Sequence, residues 1–147
     1  MNVLVILVIA LALGFDFLNG IHDSSNVVAT MISSRAFSPR IALGMTALAN
    51  FFGPFIFGVA VANTIGHEIV AADAISTQVL VAALTSAIFW NLLTWYLGFP
   101  SSSSHALIGG LIGSGLMKSG FEILVWKGII KTSSFIVISP IIGLILG

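Results

Sequence analysis

Apolar runs of membrane-spanning length, with nearly every charge confined to the short connections between them, restrict this chain to one environment. A helical span needs about 20 mostly apolar residues to cross a hydrocarbon core of roughly 30 Å. Three windows meet that length: residues 3–17 with a polar continuation, residues 41–62 and residues 76–97. Residues 129–147 form a fourth, less complete window. Only 7% of the residues are charged, against about a quarter in soluble domains. The expectation is an all-α, polytopic transmembrane helical bundle, a single membrane domain over residues 1–147 embedded in a lipid bilayer.

The same composition excludes several functions. Formal net charge is zero and no basic stripe follows one face, so nucleic acid is not a partner. Cysteine is absent, which removes disulfides, thiolate metal sites and cysteine nucleophiles together. Chemistry is left to oxygen and imidazole groups; no cofactor is expected and no metal ligand set is assigned. The start runs from Met1-Asn2 directly into apolar residues without a basic n-region, which reads as a retained first helix. At the other end, residues 129–147 stop without a polar flank, as if cut inside or just after a helix. Arg35 and Arg40 make the first connection the cytoplasmic one and place the N-terminus outside.

Residues 98–117 fit neither a span nor a soluble loop. Gly98-Phe99-Pro100 must break the preceding helix, yet the segment from Ala106 to Leu116 is again apolar and glycine-rich. The pattern predicts a re-entrant helical hairpin whose tip is Pro100 to Ser104, with Ser101 and its neighbours capping the returning helix. Residues 76–97 are also long enough to cross the whole bilayer, in which case the reentry would be residues 100–117 alone.

Two polar groups of residues stand out against this background. In the first helix Asp16, Asn19, Asp23, Asn26 and Thr30 recur at spacings of three and four, so they share one helical face. An Asp at bilayer depth costs roughly 2.5–3.5 kcal/mol on insertion scales, and such residues usually face a protein interior or a watery path. Gly14 and Gly20 suggest local unwinding that would free carbonyls for an ion. His22, off that face, is a candidate proton-handling group. The competing reading of the stripe is the solvated end of the first helix.

The second group is Ser101 to Ser104 with His105. It puts hydroxyls and unpaired backbone N–H groups at a helix N-terminus, where the helix dipole favours an anion such as a tetrahedral oxyanion. The competing reading is an ordinary capped turn. Behind it, Gly109 and Gly113, with Ala106, Gly110 and Ser114, give the returning helix a smooth face for close packing. No Lys or Arg lies between Arg40 and Lys118. An anion at the serines therefore has no fixed cationic side chain beside it and needs a co-bound cation, such as sodium at Asp23 or a proton on a carboxylate, His22 or His105.

At these two places the sequence resembles the inorganic phosphate transporter (PiT) family. Asn19-Gly20-Ile21-His22-Asp23-Ser24-Ser25-Asn26-Val27-Val28-Ala29-Thr30 is similar to the N-G-x-x-D-x-x-N-x-x-A-T repeat signature in its bacterial form. Gly98-Phe99-Pro100-Ser101-Ser102-Ser103-Ser104-His105 is similar to the family's G-x-P-x-S-[ST]-[ST]-H. The resemblance implies one half of an inverted-repeat transporter: a cation-coupled symporter of inorganic phosphate, using protons or sodium, that could carry a metal–phosphate complex. It implies phosphate binding by Ser102, Ser103, Ser104, Asp23 and Asn26, and cation coupling by Asp23, Asn26, Asn19 and Asp16. His22 and His105 remain the proton-handling candidates. Each signature occurs once, so a C-terminal repeat or a second copy of the chain would complete the site. Asn50 departs from relatives that carry an acidic residue in the second helix, which leaves the coupling ion open, with a lean toward protons that rests on the resemblance.

Two other functions compete. An intramembrane serine hydrolase would use Ser104 and His105, but consecutive side chains diverge on a helix and no G-x-S-x-G elbow is present. A non-transporting subunit of a membrane complex explains packing glycines but not an internal polar stripe.

Overall fold

The computed structural model describes residues 2–59, 63 and 68–146. Its main elements are five α-helices: α1 (Val3–Ser33), α2 (Pro39–Phe57), α3 (Thr77–Leu97), α4 (Ser103–Ser119) and α5 (Trp126–Leu146). Single 3-10 turns at Ala72–Ala74 and Phe121–Ile123 sit in the connections before α3 and before α5. Among the described residues α1, α3 and α5 are long and apolar enough to cross a membrane. The expected window at residues 41–62 is helical as α2 as far as Phe57, but α2 is not one of those three helices; residues 60–62 and His67 lie outside the described residues. The expected polar connection from Lys118 to Lys131 ends earlier, because α5 already begins at Trp126 and takes in Lys127 and Lys131.

α1 corrects one expectation. It runs 31 residues without interruption through Gly14 and Gly20, so there is no unwound segment and no freed carbonyl at that point. Glycine weakens a helix by about 1 kcal/mol relative to alanine, whereas a backbone group left unpaired in hydrocarbon costs several. The helix therefore continues. It closes at Arg35, whose φ of 59° is left-handed and whose N–H donates to the Ile32 carbonyl at 3.0 Å.

α3 and α4 form one antiparallel hairpin, and α3 is also long enough to cross a membrane. Ser76 caps α3 by accepting the Val79 N–H at 3.4 Å. At the far end Gly98 takes φ 70°, its N–H donates to Trp95 O at 3.1 Å, and Phe99 N–H donates to Thr94 O at 2.9 Å. That pair of bonds is a Schellman closure, with Pro100 preventing continuation. α4 then returns the whole way: Lys118 Nζ donates to Ala74 O, just before α3, at 3.3 Å.

The hairpin legs approach closely at Gly110, where a Cβ would lie 2.6 Å from the Ala83 carbonyl oxygen. At the open end, Ile69, Val70, Ala74, Ala83, Leu111 and Ile123 form the buried apolar core. A short antiparallel bridge between Val70 and Leu124 ties the two connections there, through Ala71 N–H to Ile123 O at 2.9 Å and Val125 N–H to Ile69 O at 3.1 Å. α3 is the centre of the molecule, packed on α4 and on α1, with α2 leaning on α1.

Candidate functional site

On α1, Val8, Leu11, Phe15, Leu18 and His22 are among the less exposed positions, at spacings of three and four, with Asn19 and Asp23 beside them and Val28 further along. This is the face turned to the neighbouring helices, of which α3 is the main one. Asp23 follows His22 by one residue and so stands about 100° around the helix. Of the stripe it belongs to, Asp16, Asn26 and Thr30 are exposed, while Asn19 and Asp23 are half-buried at the edge of the packed face. Among the described residues their side chains have no hydrogen-bond or ion-pair partner. Ser24 and Ser25 are different, because their hydroxyls donate back to Ile21 O at 2.9 Å and His22 O at 2.8 Å.

His22 is 8% exposed. Its Nδ1 lies 3.0 Å from Leu18 O. A carbonyl only accepts, so Nδ1 carries the proton and Nε2 is left as a buried acceptor without a partner in the neutral ring.

At the hairpin tip the four serines separate by role. Ser101 Oγ lies 2.9 Å from Thr94 Oγ1 and fastens the turn to α3. Ser102 is the N-cap of α4, its Oγ accepting the His105 N–H at 3.4 Å. Ser103 turns inward and is 2% exposed, with no partner for its hydroxyl. Ser104 and His105 face outward. The N–H groups of Ser103 and Ser104, in the first turn, have no acceptor within their own helix. Of the tip residues Ser104 and His105 are the exposed ones, so an oxyanion arriving from outside would meet the Ser104 hydroxyl and N–H with the His105 ring beside them.

Capping is thus the work of Ser102, and Ser104 has no part in it. No hydrogen bond joins the tip to Asp23 or Asn26 among the described residues.

Two residues that the sequence reading passed over belong to this region. Asn91 is fully buried and Thr94 is 4% exposed, both on the inner face of α3. Thr94 Oγ1 also lies 2.9 Å from Trp90 O and 3.1 Å from Asn91 O. Their signal was available: two polar side chains three apart within the otherwise apolar residues 87–97.

The glycine face needs correction as well. Gly110 makes the close approach to α3, and Gly115 packs on Ile123, but a Cβ at Gly109 or Gly113 would meet nothing within 4 Å. These two line an open groove of about 940 Å³ along the α3–α4 surface, which His105 and Lys118 also border.

Residues 19–147 match the sequence profile of the Phosphate transporter family. The chain belongs to that family. Relatives include the probable low-affinity inorganic phosphate transporters of Rhizobium meliloti, 51% identical over 94% of this chain, and of Bacillus subtilis, 46% identical over 99% of it. The chain spans 41% and 44% of the length of these two relatives. A solved structure described as the sodium-dependent phosphate transporter superposes with a TM-score of 0.86 at 29% identity, covering 97% of this chain and 36% of that one. The family is one of transporters embedded in membranes, which sets aside the serine hydrolase and agrees with the apolar helices described above.

Proposed function

We propose that this chain is one repeat of an inorganic phosphate transporter, with the α4 tip as its phosphate-binding element. The observation that carries this reading is the outward-facing Ser104 hydroxyl beside the unpaired N–H groups of the first α4 turn. Ser102 supports that turn as its cap, and Ser103 supports it from inside. Asp23 and Asn26 complete the phosphate site, with Asn19 and Asp16 further along the cation path. The second half of the site comes from a C-terminal repeat or from a second copy of the chain, which the open faces of the stripe and of the Gly109–Gly113 groove favour.

Coupling to a cation follows from charge. Phosphate at the tip would face the Asp23 carboxylate with no Lys or Arg between Arg40 and Lys118 to offset it, and two anions in a low-dielectric site are unfavourable without a counter-charge. Sodium is supported by the sodium dependence of the structural neighbour, and a proton by the buried acceptor nitrogen of His22. A metal–phosphate complex would bring its own positive charge to the same place.

Gradient-driven uptake of radiolabelled phosphate into proteoliposomes, using the protein as its cell makes it, tests this reading. Uptake that collapses when the sodium or proton gradient is removed is the expected result. Uptake indifferent to both gradients would refute coupling, and no uptake under any gradient would refute transport.

A further inference from the structure

Among the described residues, three side chains at more than nine-tenths burial carry polar atoms without a partner: both amide atoms of Asn91, Oγ of Ser103 and Nε2 of His22. A buried polar atom left alone is destabilising, so a group of them calls for a partner.

Register places Asn91 and Ser103 together. The hairpin legs are pinned at Gly110 against Ala83 and at Ser101 against Thr94, 2.9 Å apart. Ser103 stands about two turns before Gly110 on α4, and Asn91 about two turns after Ala83 on α3. With equal rise in both legs, the two buried side chains sit at the same level between the pins. His22 is buried on α1, whose main neighbour is α3.

The unmet atoms also say what the occupant is. Asn91 offers donors and an acceptor, Ser103 either, and His22 Nε2 an acceptor. A cation would satisfy the oxygens and leave the amide N–H groups opposed, and an anion would do the reverse. A ligand that both donates and accepts fits all of them, and one of that kind small enough for such a space is water.

We infer that Asn91, Ser103 and His22 hold one or two buried water molecules behind the serine tip, and that Asn91 is thereby a positioning residue for the phosphate site. The waters fix the Ser103 side chain, and Ser103 in turn fixes the first turn of α4, whose N–H groups and Ser104 hydroxyl face the substrate. The inference rests on the tip being the phosphate site.

The test uses Asn91→Leu, Asn91→Ser and Ser104→Ala in the protein as its cell makes it, with phosphate affinity and thermal midpoint read on each preparation. Asn91→Leu, similar in volume, removes donor and acceptor together; it should leave the midpoint unchanged or raised, because the unmet groups disappear. Phosphate affinity should nevertheless fall about threefold to tenfold, the worth of one lost hydrogen bond. Asn91→Ser, with a hydroxyl and room for a further water, should recover most of that affinity. Asn91→Leu binding phosphate like the parent would overturn the inference, as would an Asn91→Ser that loses midpoint and affinity together, since Asn91 would then be a packing element. Ser104→Ala separates the two levels. Unchanged affinity there removes the tip from the phosphate site altogether, whereas a loss there with none in Asn91→Leu leaves the site standing and removes only the water pocket.

Discussion

The carboxylate and amide stripe of α1 has no side-chain partner among the described residues, whereas at the α3–α4 turn Thr94, Ser101 and Ser102 are held by bonds within the hairpin. Asp16, Asn26 and Thr30 are exposed on a continuous helix. Thr94, Ser101 and Ser102 are engaged in bonds that shape the turn, with only Ser104 and His105 turned out. The stripe is positioned by a rigid helix and awaits its neighbours, while the tip is a preformed element that its own hairpin completes. Changes to the stripe should therefore act on function with little effect on stability, and changes to the tip should divide between the two according to which serine is touched.

The largest expected effect is at the stripe. Asp23→Asn removes a charge that costs roughly 2.5–3.5 kcal/mol at the bilayer centre and breaks no bond among the described residues. Membrane insertion should be intact or improved while gradient-coupled phosphate uptake falls to background. Normal uptake by inserted protein would make the stripe merely the solvated end of α1.

Ser104→Ala is next. A hydrogen bond to a charged group is worth about 1.5–3 kcal/mol, so phosphate affinity should fall by about one to two powers of ten, with the melting midpoint unmoved. Equilibrium binding and thermal unfolding on one preparation check both halves of that statement.

Thr94→Val should show the opposite division. It deletes the 2.9 Å contact with Ser101 at a cost of about 0.5–1.5 kcal/mol, lowering the midpoint, with affinity affected only through a looser turn. The smallest effect belongs to neither region. Lys131 Nζ and Glu68 Oε2 are 2.7 Å apart, but their side chains are 46% and 44% exposed, so Lys131→Met should change stability by about 0–1 kcal/mol and leave uptake as it was.

The contrast also explains what the sequence revealed. The helices were legible because their apolar runs have no other stable form in lipid, and the serine tip because Gly98 and Pro100 punctuate it on either side of Phe99. The stripe was legible because charged and amide groups stand out in an apolar helix. Asn91 and Thr94 carried a local signal, two polar side chains three apart in an apolar stretch, but which of their neighbours they face is set by the register between α3 and α4, fixed by Gly110 against Ala83 and by the Schellman turn at Gly98. Gly14 and Gly20 misled for the converse reason: a residue that permits unwinding does not cause it while every backbone bond can be kept. The exchange of roles between Gly109–Gly113 and Gly110 has the same origin, since a helix with glycine on two faces does not declare which one meets its neighbour.

The central claim is that the α4 tip reads a tetrahedral oxyanion through a hydroxyl and helix N-terminal amides, and competition for radiolabelled phosphate uptake tests it most directly. Arsenate, tetrahedral and with the same number of acceptor oxygens, should compete nearly as well as unlabelled phosphate, while planar nitrate at the same concentration should not compete at all. Equal inhibition by nitrate and arsenate, or none by arsenate, would contradict the claim.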